Sequence, residues 1–209
     1  RLLAEYFTLG VRKPSRLHSA ILSAAVKMAQ VFRSMPDSLV LLLSNNDRMD
    51  LLDFAESKMA AKVTNRLDAK TTLDRLTDDY LHLTVTSLSE MEMKLLPLND
   101  TLSVVALVKT VSGPAKDSVL SLYLSDWSKQ LKVEDYIQFP ALESYWAKPL
   151  DEMTEEELQL VRQLDPVLIQ VVMSEETNDI VFRRSFGMIP KTDQPQAEKL
   201  LRDVVVSWK

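Results

Sequence analysis

The chain has no cysteine, three glycines and two histidines among its 209 residues. Without cysteine, no disulfide, thiolate metal site, thiol nucleophile or lipid-anchoring cysteine exists within these residues. Gly10, Gly113 and Gly187 lie too far apart to build a phosphate-cradling loop of the GxGxxG or P-loop type. His18 and His82 show neither HExxH nor HxH spacing, so no zinc site is legible. Positive charge is also scarce: 25 Lys and Arg against 30 Asp and Glu give a formal net charge of −5. Such a chain repels phosphate backbones and anionic lipid, so no nucleic-acid partner is expected. A mean hydropathy of −0.07 gives no sign of a membrane span. No cofactor and no metal are expected.

What is present is ordinary globular material, 46% hydrophobic and 26% charged. Residues 12–32, RKPSRLHSAILSAAVKMAQVF, carry two readings. Arg12, Lys13 and Arg16 ahead of an apolar stretch ending in Ser23-Ala24-Ala25 resemble a secretory leader with its cleavage site. His18 and Lys27 interrupt that stretch, and Leu17, Ile21, Ala24, Met28 and Val31 recur at helical spacing, with Ser15 as N-cap. The local pattern favours the amphipathic helix. Residues 1–30 are therefore a leader-like or helical N-terminal extension, and 31–209 a single α+β domain.

Within that domain, residues 34–63 read as two short helices separated by Ser44-Asn45-Asn46-Asp47, each with one apolar face. The period then changes to two. Leu81, Leu83 and Val85 alternate with His82, Thr84 and Thr86, and Met91, Met93 and Leu95 alternate with Glu90, Glu92 and Lys94, giving two half-exposed strands. TLSVVALVKTV reads as a central strand, joined through Ser112-Gly113-Pro114 to the alternating DSVLSLYLSDW. Links this short favour an antiparallel meander. Thr154 and Glu157 form a capping-box pattern for a helix reaching about Leu164, ended by Asp165-Pro166. VLIQVVMS and DIVFRRSF make an added hairpin. Ala197, Leu200, Leu201, Val204, Val205 and Trp208 fall on one helical stripe, predicting a C-terminal amphipathic helix packed on the sheet.

No motif singles out a catalytic residue. Asp68, Asp74, Asp78 and Asp79 cluster before the first strand, where aspartate solvates turns and caps backbone amides, and they lack the glycine and terminal glutamate of an EF-hand loop. A hydrolase would have to draw on Asp78, Asp79 and His82, with no GxSxG elbow in the chain. Tyr136, Phe139, Tyr145 and Trp146 crowd a segment without periodicity. Such aromatics serve either as a binding surface or as pins that hold a long loop to the core. They are the candidate binding residues. Trp127 at a strand end reads as a core cap, and the methionines as gap-fillers.

MPDSLVLLLSNNDRMDLLDF, followed by KVTNRLD, LTDDYLHL, MKLLPL, SDW and LDPVLIQVVMS, resembles an uncharacterised family of exported proteins from gut anaerobes, number three-two-five-six among the domains of unknown function. The likeness spans residues 31 to about 208 and is most specific over 35–96. It implies a leader cleaved near Gln30 and a periplasmic or extracellular location; it supplies no activity and no site residues. Together these readings lead to a non-enzymatic, exported interaction or ligand-binding module whose partner is a protein or a small ligand. The alternatives are the hydrolase near residues 78–82 and a cytosolic secretion chaperone or adaptor. Oligomeric state is not legible.

Overall fold

A computed structural model describes residues 26–99, 102–187 and 189–208. The reading of residues 12–25 lies outside the described residues. Of the first expected helix, α1 runs Met28–Arg33, and Lys27 ahead of it is extended. The core reaches back to Met28, which is fully buried and whose N–H donates to Asp78 O at 2.8 Å.

The next segment holds one 3₁₀ turn, Asp37–Leu39, and one true helix, α2, Asn45–Glu56. Where a short helix is expected at 36–43, the backbone instead turns around the buried guanidinium of Arg48. That group donates to Met35 O (2.8 Å) and Leu43 O (3.3 Å) and pairs with Asp37 (2.8 Å). These bonds satisfy carbonyls that a helix would have satisfied internally. Ser44 and Asp47 close a reciprocal capping box on α2.

Seven strands follow: β1 (Lys62–Thr64), β2 (Lys70–Leu76), β3 (Tyr80–Thr86), β4 (Ser89–Pro97), β5 (Ser103–Ser112), β6 (Lys116–Leu124) and β7 (Gln130–Leu131). Each pairs antiparallel with its neighbour in the chain, so the meander is confirmed and extended at both edges. The acidic run does not precede the sheet; it threads its first hairpins. Asp68 sits at φ +56° in the β1–β2 turn, a left-handed position aspartate tolerates. Asp74 is the extra residue of a bulge between Leu73↔Leu83 and Arg75↔His82.

Strands β8 (Leu168–Met173), β9 (Asp179–Ser185) and β10 (Val204–Ser207) form a separate sheet in the order β10-β9-β8. The expected hairpin is β8–β9. The expected C-terminal helix is corrected: α4 covers only Gln194–Leu200, and residues 204–207 pair with β9. The run Val204-Val205-Val206 is β-branched, so its side chains fit a pleated surface better than a helix, and an open β9 edge offers backbone partners. Before it, helix α3 (Glu155–Gln163) carries the expected Thr154–Glu157 capping box.

The molecule has three layers around the large sheet. Leu81, Leu83, Met91, Met93, Val105 and Leu107 face α1 and α2 together with Met28, Val31, Phe32 and Leu51. Leu96, Val104, Ala106, Val108, Leu120 and Leu122 face Val171, Met173, Ile180 and Phe182 of the small sheet. Strand β4 is thus buried on both faces across residues 91–96 rather than half-exposed. Gly187 lies so close to the β5–β6 turn that an added Cβ would stand 1.6 Å from Pro114 O, which only glycine permits.

Candidate binding groove

The aromatic segment serves the core. Tyr145 and Trp146 are buried. Trp146 bridges Leu201 and lies under the Arg184 guanidinium at 4.6 Å, and burial pushes the Tyr145 phenol up from its ordinary pKa. Tyr136 stacks on Trp208 (centroids 5.7 Å apart) and Phe139 meets Phe182 edge-on (5.8 Å). The structure does not bring these four residues to one open surface: Tyr136 and Phe139 keep exposed area, while Tyr145 and Trp146 anchor the loop. Trp127 caps the helix-side core as read, its indole N–H donating to Val31 O (2.9 Å).

The acidic residues and His82 are each engaged. Asp78 pairs with Lys27 (3.2 Å) and Asp79 with the buried Lys94 (2.9 Å). Asp74 accepts from Thr84 N (2.8 Å) and Thr84 Oγ1 (2.7 Å). His82 has a carboxylate at both ring nitrogens, Asp74 at 3.3 Å and Glu90 at 3.8 Å. Asp79 and His82 therefore do not converge on a shared vacant point.

Sequence reasoning missed what Glu92 and Lys94 do. Both are buried between the sheets. Strand β8 is an edge strand whose outward amides point at the meander, and side chains from the meander receive them. Glu92 accepts from Met173 N (2.8 Å), Ser118 Oγ from Val171 N (3.0 Å) and Asp117 from Ile169 N (3.2 Å). Lys94 Nζ donates to Glu175 O (2.7 Å). Burial raises the Glu92 pKa, partly offset by its bonds to Met173 N–H and Tyr80. Alternation alone showed these residues as a polar face, and nothing in it separates a face turned to water from one turned to an edge strand.

Among the described residues, one open apolar surface lies at the end of the large sheet where β4 and β5 meet the 38–42 loop. There a groove of about 230 Å³ is floored by Val85 and Met91 and walled by Leu39, Leu42 and Val111. Leu41 (68% exposed) and Val111 (59%) line it, exposed Leu88 (63%) and Leu67 (67%) stand in the β3–β4 and β1–β2 turns, and Val119 (65%) continues the face across the Lys109↔Val119 pair. Isolated exposed leucines are ordinary; here several exposed apolar side chains lie near one groove. The wall is fixed in place: Arg48 holds the loop from inside, and Arg66 donates to Leu41 O (3.2 Å) and, through its backbone N–H, to Leu42 O (3.0 Å). Lys109 opens onto the groove, and partial burial lowers its pKa. Among the described residues no carboxylate forms an ion pair with it. Its signal was present in the sequence as the lone charge within VVALVKTV.

A family model described as a protein of unknown function (DUF3256) matches residues 20–209. Among solved structures the chain is similar to a domain of an uncharacterized protein from Porphyromonas gingivalis, at 24% identity and a TM-score of 0.72, covering 88% of this chain and 95% of that one. At that identity the likeness is one of fold. No curated protein matches the chain. Among the described residues no helix is long and apolar enough to cross a membrane, and no group of three or more His, Asp or Glu side chains is arranged to hold a metal ion.

Proposed function

The chain belongs to the family of proteins of unknown function DUF3256, and from that premise we propose that it is a non-enzymatic binding module that engages its ligand or partner at the groove between the 38–42 loop and the β4–β5 end of the large sheet. The observation that carries the reading is an apolar groove lined by exposed Leu41 and Val111 whose wall is held by two arginines. Rigid walls lower the ordering cost of binding. The engagement of Asp78, Asp79 and His82 in ion pairs and caps favours this reading over a hydrolase.

We place the module outside the cytoplasm, on the basis of the leader-like residues 12–25. If a leader is removed, a cut that keeps the fold whole falls before Lys27, because Met28 is core. A cut at Gln30 would strip it. Native mass spectrometry of the protein recovered from its host's envelope and extracellular fractions tests both statements. The expected result is bound extra mass on a chain processed before Lys27, with the mass lost in a Leu41→Ser, Val111→Thr double variant of unchanged melting temperature. Retention of the bound mass by that variant, or a bare wild-type chain, would overturn the groove assignment.

A further inference from the structure

We propose that the joint between the two sheets is proton-operated, with Glu92 as its switch: the small sheet docks firmly while the Glu92 carboxyl carries a proton and loosens as that carboxyl ionises. The groove plays no part. Among the described residues no backbone hydrogen bond joins β8 to the meander, so the strand hangs on three side-chain acceptors, Asp117, Ser118 and Glu92. Ser118 is neutral, and Asp117 keeps enough exposure for water to solvate its charge. Glu92 is 6% exposed and is the sole buried carboxylate among the described residues.

The charged groups that face Glu92 are already paired with one another. Glu90, on the same strand, holds Lys116 of β6 (3.0 Å) and lies 3.8 Å from His82 of β3, whose other ring nitrogen meets Asp74 at 3.3 Å. Lys94 is held by Asp79 (2.9 Å) and by Glu175 O (2.7 Å), and the Glu175 carboxylate pairs with Arg75. Glu92 forms no ion pair among the described residues; its bonds are to two neutral donors, Met173 N–H and the Tyr80 phenol. A carboxylate closed off from water without a cation costs free energy that an opened joint recovers by hydration. The protonated group still accepts from Met173 N–H through its carbonyl oxygen, so taking up a proton keeps the bond and removes the charge. Burial accordingly raises the Glu92 pKa from its ordinary value, against the lowering effect of Met173 N–H, His82 and Tyr80. Docking is therefore complete below the ordinary glutamate range and weakens as pH rises to the raised value.

The test follows the full chain from about pH 4 to 8 by two readouts: the side-chain carboxyl shift of Glu92, and amide exchange at Ile169, Val171 and Met173 expressed as protection factors. Protection of the three amides is expected to fall by up to about tenfold per pH unit until the Glu92 carboxyl has titrated, and to level off above that point. In Glu92→Gln, which keeps an acceptor without a charge, the same protection factors are expected to stay flat. Tyr80→Phe removes a donor to the carboxylate and is expected to move both the carboxyl midpoint and the levelling-off to higher pH. A Glu92 carboxyl that titrates in the ordinary glutamate range would overturn the switch in the wild type alone. An unchanged pH profile of protection in Glu92→Gln would overturn it as well, by placing the proton on another group.

Discussion

The two faces of the large sheet are covered by different means. Toward α1 and α2 the sheet meets the helices through apolar side chains, with the buried Arg48 guanidinium bonding carbonyls of the turn ahead of α2. Toward the small sheet, an apolar core is bordered by a row of polar side chains that terminate the open edge of β8. Helices satisfy their own backbone, so a helical cover asks only for apolar contact. A three-stranded sheet brings an unpaired edge, and its cover must supply acceptors. That difference is why Glu92 and Lys94 are buried in a strand whose other face is wholly aliphatic.

The comparison breaks most visibly on the helix side. Phe32→Ala is expected to cost about 3–5 kcal/mol, as a large fully buried side chain in a packed interface, read as a shift of the urea midpoint at constant slope. On the other face Glu92→Ala is expected to cost about 1–3 kcal/mol, because it leaves Met173 N–H buried without an acceptor. A Phe32→Ala loss smaller than that of Glu92→Ala would reverse the assignment of the two interfaces.

Glu92→Gln sharpens the comparison, since it keeps an acceptor and removes the charge. Burial holds the folded-state Glu92 pKa above its unfolded value. Its contribution to stability is therefore complete below the unfolded pKa and lost as pH rises through the folded one. Wild type is expected to gain on Glu92→Gln as pH falls from 8 toward 5 in paired denaturation curves. A widening deficit of wild type in acid would contradict the burial account. The smallest effect belongs to Ser118→Ala, about 0.5–1.5 kcal/mol, because its hydroxyl receives a single amide at a part-buried position. A Ser118→Ala midpoint equal to wild type would place Val171 N–H in contact with water instead.

Local patterning carried much of this architecture. Strands β3 to β6, the β8–β9 hairpin and helix α3 with its capping box follow from period and end signals that act within a few residues. The failures have a common cause. Val204, Val205 and Trp208 fit a helical stripe, yet the competing β9 edge is some 20 residues away and invisible to a short window. The turn at 36–43 depends on Arg48, whose guanidinium reaches back 13 residues to Met35 O. Tyr145 and Trp146 looked like a surface because irregular segments usually run outside, whereas here Arg184 and Leu201 hold Trp146 inside. Lys109 was plain to see, but only the path of the 38–42 loop gives it a groove.

The edge of β8 also bears on how the two sheets come together. Every pairing in the meander joins strands consecutive in the chain, so that sheet can form by successive hairpins with small loop-closure cost. The small sheet cannot be registered in the same way, since β10 joins β9 only after the α4 segment has been passed, and the β8 amides find their acceptors on Glu92, Ser118 and Asp117 of the finished meander. The amides of β8 are thus satisfied only when the two sheets are docked. In hydrogen exchange the amides of Ile169, Val171 and Met173 are expected to open with the separation of the two sheets, before those shared by β4 and β5.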